Sequence, residues 1–251
     1  MGSMTISCIV FACVFGGALT GMLLRTVLPA HHLNPESKDV VKLGMGLIAT
    51  MAALILGLLV SSTKGSYDTK GSELAEMSAK VVLLDRLLAH YGPETKEARG
   101  LLRSNVVQFL DQAWSGDSAR PSHVGPRASG ADTLYDKIQA LAPQNDAQRS
   151  IKAEALSVGV ALGQTRMLIF AQSGSSISTP FLVMVIFWLA IIFLSFGLHA
   201  PPNATVVTAL FLCALSVSGA IFLILELDRP FSGLIQISSA PLSNALAQLG
   251  R

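Results

Sequence analysis

Residues 46–60 read GLIATMAALILGLLV, a stretch without one Asp, Glu, Lys or Arg. A helix that faces water on any side carries a polar stripe there, so one apolar all round belongs in lipid or deep inside protein. Extended back to Leu43, the stretch runs over 43–60. That is slightly short of the roughly 20 residues that cross a bilayer core. Lys42 and Lys64 flank it and can snorkel to the interface. Three further runs have the same character: Ile6 to Leu28, Pro180 to Leu198 and Ala204 to Leu227. The pattern predicts an all-α integral membrane protein in contact with the lipid bilayer. Its four transmembrane helices form two hairpins, over 1–60 and 180–227, with a helical bundle over 61–179 inserted between the second and third spans and a tail over 228–251.

Composition agrees. The 251 residues are 51% hydrophobic and 14% charged, against about 25% charged in ordinary soluble domains. Mean hydropathy is +0.55. The net charge of +2 leaves no electrostatic footprint for nucleic acid. Cys8, Cys13 and Cys213 all fall in apolar runs, which excludes a disulfide framework. No base precedes the first apolar run, and Arg25 follows it, so a cleaved signal peptide is not expected.

An even number of spans puts both termini on one side, together with the insertion. That side carries Lys64, Lys70, Arg166 and Arg229, while the other offers Arg25, Lys38 and Lys42. The positive-inside rule then assigns both termini and the bundle to the cytoplasm, with the chain in the plasma membrane, or the inner membrane if the source is prokaryotic. Asn203-Ala-Thr205 matches a glycosylation acceptor, but at the lip of the membrane it reads as coincidence.

Within the insertion, Leu74, Met77, Val81, Leu84, Leu88 and Tyr91 step by threes and fours, a heptad-type seam that ends at Gly92-Pro93. Glu76 and Lys80 support it one turn apart. A second helix through Leu101, Phe109 and Ala113 ends near Trp114, and the Ser-, Gly- and Pro-rich 115–131 reads as a mobile loop. A short helix carries Leu134, Ile138 and Leu141 up to Pro143. Asn145 or Asp146 then caps a helix through Ile151, Ala155, Leu162, Thr165 and Ile169, with a joint at 173–180 before the third span. These seams predict a bundle that buries one stripe per helix, with intersubunit coiled-coil packing as the alternative.

The spans hold small-residue ladders: Cys13, Gly17 and Gly21 in the first; Ala49, Ala53, Gly57, Ser61 and Gly65 in the second; Ala209, Cys213, Ser216 and Ala220 in the fourth. Such ladders let helices approach closely within a subunit, or line a narrow pore. The third span is bulky and aromatic, which suits lipid. No ionisable residue lies deep in any span, which disfavours proton-coupled carriers and leaves room for a passive conduit. Charges gather at the membrane edge instead: Lys64 and Asp68 after the second span, and Glu226, Asp228 and Arg229 at the end of the fourth. They form either an interfacial salt-bridge cluster or a mouth that attracts ions. His31-His32 has no companion ligands for a metal, and no phosphate loop or nucleophile elbow is present, so neither cofactor nor catalysis is expected.

Four stretches resemble the bestrophin-like family of membrane proteins: GLIATMAALILGLLVSSTKGSYDT (46–69), LLDRLLAHYGPETKEAR (83–99), SFGLHAPPNAT (195–205) and LILELDRPFSGLIQISSAPL (223–242). The resemblance implies four spans with a helical domain between the second and third. A more distant similarity connects the family to bestrophin ion channels. Their Pro-Phe-Gly motif is matched here by Pro230-Phe231-Ser232-Gly233, with a Ser inserted, and their acidic run is replaced by Leu234 to Ser238. This second span also lacks their aromatic neck. The channel layout implies a cyclic homo-oligomer with the second span lining the pore. Ala49, Ala53, Gly57 and Ser61 would then face the axis, with Ile48 and Leu56 as gates passing small ions, anions first. The competing expectation is a membrane-anchored helical scaffold or sensor that docks a cytoplasmic partner and conducts nothing.

Overall fold

The computed structural model describes residues 2–28, 35–114, 129–171 and 177–250. The described residues form helices and no strand: α1 (Ser3–Val27), α2 (Pro35–Tyr91), α3 (Lys96–Trp114), α4 (Ser129–Gln139), α5 (Asp146–Ala171), α6 (Thr179–His199), α7 (Ala204–Leu227) and α8 (Ala240–Gln248). Four of these, α1, α2, α6 and α7, are long and apolar enough to cross a membrane. His31-His32, nearly all of the expected 115–131 loop and half of the expected 173–180 joint lie outside the described residues.

The chain divides into two units, one of residues 1–66 with 175–229, the other of residues 67–174 with 230–251. The expected span at 43–60 and the seam from Leu74 belong to one continuous helix, α2, which contributes to both. No proline interrupts residues 61–73, and the Thr63 hydroxyl bonds back to the Leu59 carbonyl at 2.8 Å. The helix stops at Gly92, whose φ of 141° suits glycine, followed by Pro93.

In the first unit, α1 buries Val10, Val14 and Ala18 at four-residue intervals against Val185, Leu189 and Ile192 of α6 and Ala214 and Ile221 of α7. Lipid gives helices no hydrophobic reason to associate, so close packing must hold them together. Glycine makes that approach possible: a Cβ on Gly17 would lie 2.8 Å from the Ala190 carbonyl oxygen. On Gly21 or Gly197 it would overlap the carbonyl oxygens of Leu194 and Ala18. In the ladder of the first span, Gly17 and Gly21 are therefore helix packing, while Cys13 is exposed. The Ser7 hydroxyl donates to the Ser218 carbonyl at 2.9 Å, tying α1 to α7. Arg25 donates to the Ala200 carbonyl at the turn between α6 and α7. Asn203 accepts the Val206 N–H at 2.9 Å and so acts as the N-cap of α7.

In the second unit the α2 seam (Leu74, Met77, Val81, Leu84, Leu88, Tyr91) is buried in full. It packs with Leu102, Val106 and Phe109 of α3, Leu134 and Ile138 of α4, and Ala155 and Ile169 of α5. The seam thus closes on its own chain, as a bundle does. Asn145, of the two candidate caps, accepts the Gln148 N–H at 2.8 Å at the start of α5. Lys80, besides pairing with Glu76 at 2.8 Å, donates to the Thr165 hydroxyl at 2.8 Å.

The stretch expected as a tail is structured. Leu242, Ala245 and Leu249 on and after α8 are buried in the same core. The buried Asp85 carboxylate takes two bonds from Arg99, at 2.7 and 2.9 Å, and a third from the Gly250 N–H at 3.3 Å. Arg99 is raised above the usual guanidinium pKa by this hydrogen bonding. Arg103 reaches the carbonyls of Leu246 and Leu249.

Candidate functional site

Within the first unit, α2 sorts its residues by face. Ala52, Leu59 and Thr63 are buried, and Met45, Ile48, Ile55 and Leu56 are half-buried against the unit's core. At about 100° per residue these positions form one inward stripe. Ala49, Ala53, Gly57 and Ser61 are all exposed, and a Cβ added at Gly57 would meet nothing within 4 Å. Leu47, Met51, Leu54 and Leu58 are exposed as well, forming a bulky strip beside the slim one. Ile48 and Leu56, the expected gates, are set apart from the slim face because they lean on the subunit's own core.

The contrast with α1 is sharp. Its ladder glycines, Gly17 and Gly21, are sealed against α6, whereas the longer ladder of α2 touches nothing in its own unit near Gly57. Two ladders that look alike in sequence therefore serve differently. On α7, Ala209, Cys213, Ser216 and Ala220 are exposed too. On α6, Phe181, Val183, Met184 and Phe187 face outward, a bulky surface that suits acyl chains.

The edge charges have distinct surroundings. In the first unit Glu226 is 5% exposed and Asp228 half-buried, while Lys64 and Arg229 are exposed. In the second unit Asp68 is exposed. None of the five is without a partner. A buried carboxylate such as Glu226 requires that, since unpaired burial of a charge costs several kcal/mol. Lys70 in the second unit is 1% exposed and also partnered, a buried charge that sequence reading treated only as one more base for orientation. Its place one residue before Gly71-Ser72-Glu73 and the seam, rather than in a polar run, was the available signal.

Pro230, Phe231 and Gly233 build a tight loop in the second unit. The Ile237 N–H donates to the Pro230 carbonyl at 2.7 Å, and Gly233 has a φ of 98°, a conformation suited to glycine. Phe231 meets Trp114 edge-on at 5.3 Å, and the Trp114 indole N–H donates to the Ile237 carbonyl at 3.0 Å. The motif holds the C-terminal segment on the end of α3.

No curated protein and no solved structure matches the chain. A family model, described as the Bestrophin-like domain, matches residues 12–242. The match takes in α2 with its exposed slim face, the four apolar helices and the Pro230 loop, and on its extent the chain belongs to the Bestrophin-like family.

Proposed function

We propose that the protein is a homo-oligomeric channel for small ions, anions first, in which copies of α2 surround a common axis. The observation that supports this most is the exposed strip Ala49, Ala53, Gly57 and Ser61, in a chain whose other glycine ladder is consumed by packing. Small side chains around an axis leave a lumen, and the absence of ionised groups at mid-depth suits passive flow through an apolar constriction. The bulky strip of Leu47, Leu54 and Leu58 beside it would pack on the neighbouring subunit, with Ile48 and Leu56 fixing the inner face. The edge charges Lys64, Asp68, Glu226, Asp228 and Arg229 would set the field at the mouth. Membership of the Bestrophin-like family agrees with a channel-related role. Both termini and the helical unit would lie in the cytoplasm, from the distribution of bases.

The test is ion flux from liposomes holding the purified full chain. Chloride efflux that falls when Ala53→Phe or Gly57→Phe is introduced, in protein that still assembles, supports the proposal. Absence of flux for the unaltered protein across varied pH, calcium and ion type sinks it. Flux indifferent to both substitutions moves the pathway away from α2.

A further inference from the structure

Two outward faces of the second unit match in spacing, level and charge. The first is an open groove of about 400 Å³ between α2 and α8. Val82, Leu83, Pro241 and Ala245 give it apolar surface, and Arg86 is the one charged residue among its described lining. On α2 the groove belongs to a line of Ala75, Ala79, Val82, Arg86 and Ala89, which steps by fours and threes. All five are exposed except the half-buried Val82. At about 100° per residue this line lies on the far side of the helix from the buried seam.

The second face is on α5. Ser150, Ala153, Ser157, Val160 and Gln164 step by threes and fours and are all exposed. They turn away from the buried Ala155, Thr165 and Ile169 of the same helix. A helix face left to water normally carries charge, and this line has none. The exposed Glu154 flanks it, one turn from both Ser150 and Ser157.

The two helices run antiparallel, because Lys80 meets Thr165 while Tyr91 meets Gln148. Those bonds also set relative heights. Counted from either one at 1.5 Å per residue, Glu154 lies within about 8 Å of Arg86 along the helix direction. By the same count Val160 is level with the groove. Rotation about an axis parallel to the helices keeps each residue at its height. A neighbouring copy related in that way brings Val160 to Val82 and Leu83, and Glu154 to the level of Arg86.

We propose that the groove between α2 and α8 receives α5 of a second copy, so that the second unit carries a subunit contact of its own. Charge selects this occupant: the groove presents one cation, and the matching helix face brings one carboxylate to its level. An exposed pair of this kind adds little affinity but fixes register. The two faces are different surfaces, so the contact is head to tail, the kind that closes a ring. It rests on the homo-oligomer proposed for the spans and extends it to residues that take no part in the conduit.

The test uses the full chain in liposomes, with Cys8, Cys13 and Cys213 replaced and Arg86→Cys and Glu154→Cys introduced together. A membrane-permeant bis-maleimide should give dimers, trimers and higher multiples on a denaturing gel, since each copy offers one thiol to each neighbour. Either cysteine alone should give none. Monomer only from the double variant, dimers from a single variant, or bands that are not multiples of the chain overturn the proposal. Both positions are exposed, so neither substitution disturbs the core. Charge reversal gives a second readout. Arg86→Glu or Glu154→Arg should weaken self-association up to about fivefold, as loss of an exposed pair does, and the two together should restore it. A double reversal no better than either single one overturns the pairing. Chloride flux without a cross-linked ladder sinks this contact and leaves the conduit standing, whereas a ladder without flux does the reverse.

Discussion

The carbonyl oxygen of Ala18 occupies the place where a methyl group on Gly197 would have to go. On the facing helix of the same interface, Gly21 is blocked by the Leu194 carbonyl and the Leu198 backbone nitrogen. Backbone sits against backbone, and neither side has a flexible atom that can yield. Gly197→Ala and Gly21→Ala are expected to destabilise the α1–α6 pair by about 3 kcal/mol or more, as rigid overpacking does. Thermal unfolding of detergent-purified protein checks this. The matched control is Gly57→Ala, where open space and better helix propensity predict unchanged or slightly raised stability. Equal sensitivity at the two kinds of glycine would contradict the difference drawn between the ladders.

Asp85 and Arg99 form a two-pronged pair between α2 and α3, and Gly250 adds a third bond from the C-terminal end. Asp85→Ala leaves a guanidinium unpaired and frees that end, at an expected cost of about 3 kcal/mol. The double substitution Asp85→Leu with Arg99→Leu should recover part of the loss, because it removes the uncompensated charge. Hydrogen exchange at Gly250 and Leu249 should accelerate in Asp85→Ala before the remainder of the bundle does.

Trp114 holds the Pro230 loop through the Ile237 carbonyl and through ring contact with Phe231. Trp114→Phe keeps most of the apolar contact and removes the indole donor, for an expected loss of about 1 kcal/mol. Phe231→Ala removes a half-buried ring and should cost about 2 to 3 kcal/mol. Protease nicking between 230 and 250 gives the readout, with Phe231→Ala cut faster than Trp114→Phe.

Asn203 caps α7 through the Val206 N–H. Asn203→Ala should lower stability by about 1 kcal/mol and Asn203→Asp by much less, since aspartate keeps the acceptor. A shift in unfolding midpoint in the order Ala, then Asp, then unaltered protein is the expected result. No difference between Ala and Asp would remove the capping role.

The exposed strip of α2 makes a chemical prediction. In a background with Cys8, Cys13 and Cys213 replaced, Ala53→Cys and Gly57→Cys should react with a small water-soluble thiol reagent, while Val185→Cys should not. Val185 is fully buried within the first unit. Oxidation should also cross-link Ser61→Cys between copies if the strip surrounds an axis. Absence of labelling at Ala53→Cys and Gly57→Cys together with absence of cross-linking at Ser61→Cys would place lipid or another helix on that face.

Helix type and placement were legible because they depend on local quantities. Uninterrupted apolar length marked α1, α6 and α7 within about three residues of their observed ends, and Ala204–Leu227 matched at both. The three-and-four spacing of Leu74 to Tyr91 named a face that is buried in full, because a helix repeats every 3.6 residues whatever it packs against. Asn145 and Gly92-Pro93 marked ends for equally local reasons of capping and backbone conformation. Continuity was harder to see. The expected span ends at Val60 and the seam starts at Leu74, with the polar, glycine-containing residues 61–73 assigned to neither, yet α2 passes through them because packing on either side outweighs weak propensity.

What the sequence by itself determined was which segments are helical, which are apolar enough to cross a membrane, and which stripe of α2 is buried between Leu74 and Tyr91. What only the tertiary structure decided was the use of identical-looking features. Gly17 and Gly21 are shut against α6 while Gly57 stands open, although both sets are spaced by four. Arg166 lies over the Phe170 ring while Arg99 holds the Asp85 carboxylate, although both are arginines on bundle helices. Spacing fixes which residues share a face, because that is a property of one helix. Whether the face is covered depends on a second helix from a distant part of the chain, and no local pattern records its arrival.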